Sequence, residues 1–122
     1  MTYVICSRVN KEAGQRLVDF LRDRTLDVHF PVVDTPNDPK SLMFTTNTKK
    51  IEESEFVVAL AKGEISRNWA FEAGYALGLG KKVLCLAEDG TDLEQHDMVH
   101  PKLTKVRSIE ELDVELEKLK AK

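Results

Sequence analysis

Three short stretches of the chain are apolar at every position: Tyr3-Val4-Ile5-Cys6, Phe56-Val57-Val58-Ala59-Leu60 and Val83-Leu84-Cys85-Leu86. A run without alternation suits a strand covered on both faces, as in a parallel sheet clad in helices. A fourth stretch, Leu26-Asp27-Val28-His29-Phe30, alternates instead. It predicts a half-exposed strand near the sheet edge, with His29 turned to solvent. Between these runs the apolar period lengthens to that of a helix. Ala13, Leu17, Phe20 and Leu21 form one stripe, and Ile109, Leu112, Leu116 and Leu119 form another behind a Ser108/Glu111 capping box. Ser41 to Glu53 carries a weaker stripe, with Met43 and Ile51 as its core candidates, and Ser66 to Leu79 gives a further helix that Gly80 is placed to end.

The resulting order is β-α-β-α-β-α-β, then a loop, a short strand near Lys105-Val106 and a last helix. That alternation predicts a single three-layer α/β domain over residues 1–122, with a flavodoxin/Rossmann-like, mainly parallel five-stranded sheet. Right-handed crossovers favour the strand order 2-1-3-4-5. Composition fits: 42% hydrophobic residues supply a core without disulfides or metals. The net charge of −3 argues against a nucleic-acid polymer as partner. No apolar run approaches the roughly 20 residues of a membrane span, and no signal peptide is recognisable, so a cytoplasmic protein is expected by default. Cys6 and Cys85 lie inside apolar runs and read as buried reduced thiols. Two polar loops, Pro31 to Lys40 and Glu88 to Pro101, are long enough to cover a site.

In an open α/β sheet, ligands bind beyond the carboxyl ends of the strands where the strand order reverses. Here that point lies between the first and third strands, at Ser7 and Arg8 and at Lys62 to Arg67. Ser66 is a candidate N-cap, and the free N–H groups behind it favour an anion. Arg8, Lys62 and Arg67 add positive charge. The site reads equally as a phosphate cradle or as a capped helix flanked by solvated basic residues.

Six residues beyond Ser66 stands Glu72, a lone carboxylate among small and apolar neighbours. Desolvating a charge is costly, which makes this acid a candidate for chemistry. With a rise of ~1.5 Å per residue, its carboxylate falls roughly 6–9 Å along the helix from the cap. That is comparable with the span from a 5′-phosphate to the anomeric carbon of a nucleotide. A carboxylate there can attack C1′ or stabilise an oxocarbenium-like transition state. The plainer alternative is a surface acid paired with Lys49 or Lys50.

The stretch Phe71-Glu72-Ala73-Gly74-Tyr75-Ala76-Leu77-Gly78-Leu79-Gly80-Lys81-Lys82-Val83 resembles the signature of the nucleoside 2-deoxyribosyltransferase family. The resemblance extends in element order over nearly the whole chain. It implies that Glu72 is the catalytic glutamate and that Tyr3 positions it. Ser66, where the family's transferases tend to carry an aspartate, and Ser7 resemble the phosphate-binding serines of its 2′-deoxynucleoside 5′-phosphate N-hydrolase branch. The resemblance therefore implies cleavage or transfer at the N-glycosidic bond of a nucleoside or its 5′-monophosphate, without a cofactor, by a homodimer or higher homo-oligomer. One position departs from the family. Its aspartate in the second helix, near the reacting sugar and base, falls on Asn47. An asparagine can hydrogen-bond a sugar hydroxyl or a base but is no general base at neutral pH, so Asp34 or Asp38 of the neighbouring loop is the alternative acid.

Asn68-Trp69-Ala70-Phe71-Glu72-Ala73-Gly74 also resembles the Asn-x-x-x-Glu-x-Gly pattern of TIR-like domains that cleave the N-glycosidic bond of NAD. This reading, and a non-catalytic nucleotide-binding or signalling module, are the rivals. Asn68 and Arg67 join Ser7, Arg8, Asn47 and Ser66 as candidate substrate contacts. Trp69 and Tyr75 are read first as core residues; the functional alternative is that Trp69 or Phe44 stacks on a base. Gly74 and Gly78 suggest close helix–sheet packing. His96 and His100 have an i,i+4 spacing, but the segment reads as a loop without a third ligand, so no metal is expected.

Overall fold

The structure is a computed structural model that describes residues 1–24, 26–34, 39–63, 65–88 and 102–120. The apolar runs become the strands β1 (Thr2–Ile5), β3 (Phe56–Leu60) and β4 (Lys82–Leu86); β2 (Val28–His29) and β5 (Thr104–Val106) flank them. Among the described residues, five helices connect and cover them: α1 (Lys11–Asp23), the short α2 (Pro31–Asp34), α3 (Lys40–Glu53), α4 (Arg67–Gly78) and α5 (Ile109–Lys120). A 3-10 turn, Arg8–Asn10, leads into α1.

The strand order is β2-β1-β3-β4-β5 and every pairing is parallel, as the alternation of elements predicts. Because successive strand residues point to opposite faces, the sheet builds two separate apolar layers. Val4, Val58, Leu60, Leu84 and Leu86 meet Leu17, Val18 and Leu21 of α1 and Leu112 and Leu116 of α5. Tyr3, Ile5, Val57, Ala59, Val83 and Cys85 meet Ile51 of α3 and Trp69, Ala73 and Ala76 of α4. Gly14 lets α1 close on the sheet, since a Cβ there would stand 2.7 Å from the Phe30 ring and 2.8 Å from Cys6 Sγ.

The helix ends follow their sequence signals. Gly80 adopts φ 79°. It donates to Leu77 O at 3.0 Å while Lys81 donates to Ala76 O at 3.0 Å, the paired bonds of a Schellman close. At α5, Ser108 Oγ accepts from Glu111 N at 3.1 Å. The Glu111 carboxylate accepts from Arg107 N at 2.9 Å, one residue before the reciprocal partner of a capping box.

Three expectations are corrected. Strand β2 is buried, not half-exposed, and His29 is only 9% exposed. Its register opposite Tyr3 turns both side chains to the face that α3 and α4 cover, and the two rings pack with centroids 5.6 Å apart. Gly78 is exposed and a Cβ there would meet nothing within 4 Å, so close packing does not explain it; the close approach of α4 comes from Ala73 and Ala76. Met43 is only half-buried, leaving Ile51 as the α3 residue in this core layer. Both cysteines are free thiols, with burial pushing Cys6 up to about 11 and Cys85 to about 12.

Candidate active site

Helix α4 carries the candidate acid and the candidate anion-binding end on one rigid element. Ser66 caps it: Oγ accepts from Trp69 N at 3.2 Å. The first turn holds no acidic side chain to occupy its free N–H groups. Ser7, buried at the end of β1, donates from Oγ to Ser66 Oγ at 3.2 Å, so the two candidate serines meet across the point where strand order reverses. Asn10 strengthens this junction by donating from Nδ2 to Lys62 O at 2.9 Å. Arg8, Lys62, Arg67 and Asn68 are exposed around it.

Trp69 fixes the helix from below. It is 2% exposed, and its indole N–H donates to Leu60 O at 2.9 Å, which satisfies a buried donor and a carbonyl beyond the sheet ladder. Trp69 is therefore a core anchor and is unavailable for stacking on a base. Phe44, the other candidate, is 59% exposed on α3, and its ring packs on that of Phe71 with centroids 5.7 Å apart.

Glu72 lies one position off the buried stripe of α4 and turns toward β1, where the Tyr3 hydroxyl donates a hydrogen bond to its Oε2. Its partner is thus Tyr3 and neither Lys49 nor Lys50. Burial pushes the Glu72 carboxyl up to about 7, and the Tyr3 hydrogen bond pulls in the opposite direction. Burial first, and then the charge of Glu72, hold the Tyr3 phenol far above its ordinary range, so it remains a donor. Near neutrality Glu72 is divided between a protonated form and a poorly solvated carboxylate oriented by one hydrogen bond.

Beside Tyr3, the His29 ring faces Asp34, with Nδ1 at 3.6 Å from Asp34 Oδ2. Asp34 also accepts from Phe30 N at 2.7 Å, which holds its carboxylate in place. Asn47, half-buried on α3, lies alongside the same imidazole and favours its protonated form, although burial dominates and lowers the His29 pKa. Asn47 Oδ1 and His29 Nε2 are both buried; neither makes a well-aligned hydrogen bond, and the two side chains face each other. Sequence reasoning turned His29 to solvent; its register beside Tyr3, which only strand pairing reveals, would have recovered it. Asp38, His96 and His100 lie outside the described residues, among which no group of three metal-ligating side chains occurs. A separate cleft of about 520 Å³ opens between α1 and α5 on the opposite face of the sheet; neither Glu72 nor Tyr3 lines it.

These features define an α/β protein with a desolvated, tyrosine-bound glutamate and a serine-lined helix N-terminus on the same helix. A family model described as nucleoside 2-deoxyribosyltransferase matches residues 5–120. The chain belongs to that family. Among solved structures it is similar to the CMP N-glycosidase BcmB of Clostridium botulinum, at 17% identity and TM-score 0.66, covering 93% of this chain and 98% of that one. The likeness supports the same fold. No curated protein matches the sequence. Cleavage or transfer at the N-glycosidic bond of nucleosides or nucleotides is the chemistry that the family and this neighbour have in common.

Proposed function

We propose that this protein cleaves the N-glycosidic bond of a nucleoside 5′-monophosphate, with Glu72 as nucleophile. The observation that carries the reading is the shared helix: Tyr3 orients Glu72, and the cap of the same helix joins Ser66 to Ser7. A phosphate bound at that cap accepts hydrogen bonds from the serine hydroxyls and the free N–H groups of the first turn. Arg67 and Arg8 supply countercharge from the rim. The pentose then extends along α4 and brings C1′ to the Glu72 carboxylate.

In the first step a carboxylate oxygen bonds to C1′ as the C1′–N bond breaks. The base leaves with the bonding electron pair and takes a proton from solvent. In the second step water attacks C1′ and gives up a proton to solvent, the ester bond returns its electrons to Glu72, and the pentose 5-phosphate departs; a second base in place of water gives transfer. Tyr3 acts as a positioning donor that keeps one oxygen of Glu72 occupied and the other free. Asn47 contributes hydrogen bonding and no proton transfer.

Association into a homodimer or larger assembly belongs to the same proposal. It is supported by the exposed Phe44 and Phe71, whose rings pack on each other at the surface of α3 and α4. Sedimentation of the wild type against Phe71→Ser tests it, with loss of the larger species expected.

The deciding experiment incubates the protein with nucleosides, their 5′-monophosphates and NAD, and follows free base by chromatography. Base release from a monophosphate, absent in Glu72→Ala, is expected. Ligand binding without release from any compound would establish a binding module instead, and release from NAD alone would favour the TIR-like reading.

A further inference from the structure

We infer that Lys81 and Tyr75 are positioning residues of the site: by holding the last turn of α3 against α4, they fix where Asn47 stands relative to Glu72. The inference rests on reading Glu72 and Asn47 as parts of one nucleotide glycosidase site. Past the Gly80 turn that ends α4, the Lys81 ammonium reaches across to the neighbouring helix. It donates to Glu52 O at 2.9 Å and to Ser54 O at 2.6 Å. The last carbonyls of a helix lack partners within it, and a cation suits them. Here the cation comes from the end of another helix, so the two C-terminal ends are tied together. Tyr75 adds a second tie, its hydroxyl donating to Glu52 Oε2. Its ring stacks on Phe71, which packs in turn on Phe44 of α3.

The two helices are unequally anchored to the sheet. Helix α4 is seated by Trp69, Ala73 and Ala76, by the indole bond to Leu60 O and by the bond between Tyr3 and Glu72. Among the described residues, α3 puts Ile51 alone into that core layer. Ser54, 1% exposed, closes the end of α3 by donating from N and from Oγ to Ile51 O. A helix with so small an apolar footing takes its position from its polar ties. Glu52 lies five residues past Asn47, about 7.5 Å along α3, so a shift at the tied end carries Asn47 with it. Asn47 arrives from α3 and Glu72 from α4, and neither helix alone sets their separation. The plainer role, a cation that only steadies the end of α3, predicts lost stability and an unchanged site.

The test is a double-mutant cycle between Lys81→Met and Asn47→Ala, read as dissociation constants by calorimetry. All four proteins carry Glu72→Gln, which blocks turnover. The probe is the tightest-binding among the 5′-monophosphates of cytidine, uridine, adenosine and guanosine and their 2′-deoxy forms. Inorganic phosphate, read by competition, is the control. Lys81→Met is expected to weaken nucleotide binding about tenfold, the scale of one hydrogen bond to the sugar or base. Inorganic phosphate should stay within about twofold, since the cap at Ser66 lies at the far end of α4. In Asn47→Ala protein the same substitution should cost less than about twofold, because the group it positions is gone. Lys81→Arg, which keeps a cation for the two carbonyls, should restore binding to within about threefold. Tyr75→Phe, which keeps its ring on Phe71, should weaken binding about threefold in the same Asn47-dependent way; it carries the test should Lys81→Met not fold.

An equal loss with and without Asn47 overturns the inference. So does a loss that inorganic phosphate shares, a loss that Lys81→Arg does not relieve, or nucleotide binding that Lys81→Met leaves unaltered. Binding of none of the probes overturns it together with the function. An Asn47-dependent loss, with no base release by the protein that retains Glu72, would sink the glycosidase reading and leave the positioning role standing. Base release by that protein with kcat/KM unaltered by Lys81→Met would sink the positioning role alone.

Discussion

Helices α4 and α5 both begin at a serine whose hydroxyl accepts from the backbone three residues on, Ser66 from Trp69 and Ser108 from Glu111. Beyond the cap they differ. The first turn of α5 contains Glu110 and Glu111, so the chain supplies its own negative charge to the positive end of the helix. The first turn of α4 contains no acid, its exposed residues are Arg67 and Asn68, and a second serine arrives from β1. One helix end is completed internally; the other is left for an anion from outside. The acid that α4 does carry is displaced into its middle and half-buried against Tyr3. The same capping signal therefore serves stability in one helix and a ligand site in the other, and the charge of the first turn distinguishes them.

The largest effect expected from breaking this contrast is at Glu72. Glu72→Gln should lower kcat for base release by about a thousandfold or more, the scale of losing a covalent nucleophile, while Glu111→Gln leaves kcat unchanged. Steady-state kinetics on the two variants checks the difference.

Next come the caps. Ser66→Ala and Ser7→Ala should raise KM for a 5′-monophosphate by about tenfold, the scale of one charge-assisted hydrogen bond, and leave KM for the unphosphorylated nucleoside nearly unaltered. Ser108→Ala should change neither constant. It should cost about 1 kcal/mol of stability, as cap removal does, measured by urea unfolding.

The third prediction concerns pH. Glu72 attacks as the carboxylate, so kcat should rise as pH passes through about 7. Tyr3→Phe removes the hydrogen bond that lowers this pKa and should move the midpoint upward. Stability should run the other way. The folded pKa of about 7 exceeds the ordinary value of 4.5, so the native state holds its proton more tightly than the unfolded chain. The associated stability is full below about 4.5 and is lost as pH rises through 7. Melting temperatures of the wild type should therefore fall relative to Glu72→Gln between pH 5 and 8.

At Trp69 the effect expected is on stability and not on the kinetic constants. Trp69→Phe keeps the aromatic bulk but leaves the Leu60 carbonyl without its indole donor. A loss of about 1–3 kcal/mol is expected, with no change in the preference for phosphorylated substrates if Trp69 is only an anchor.

Much of this was legible in the chain because it depends on short-range pattern. Uninterrupted apolar runs marked the parallel strands, and the alternation of periods indicated the sheet order that the structure adopts. Ser66, Gly80 and Ser108 announced helix ends through local hydrogen bonding and a positive φ. The spacing from Ser66 to Glu72 follows from helix geometry alone.

What only tertiary structure decided is what depends on contact between distant residues. The bond between Ser7 and Ser66 joins residues 59 positions apart, and that between Tyr3 and Glu72 joins residues 69 apart. No periodicity encodes either. The raised Glu72 pKa follows from the burial that packing of α4 on β1 produces, and burial belongs to the assembled sheet and helices. His29 shows the limit most clearly. Its alternating strand suggested solvent, because alternation reports which residues share a face and says nothing of what covers that face. Register with Tyr3 and the approach of Asn47 from α3 placed it inside, with its ring against Tyr3.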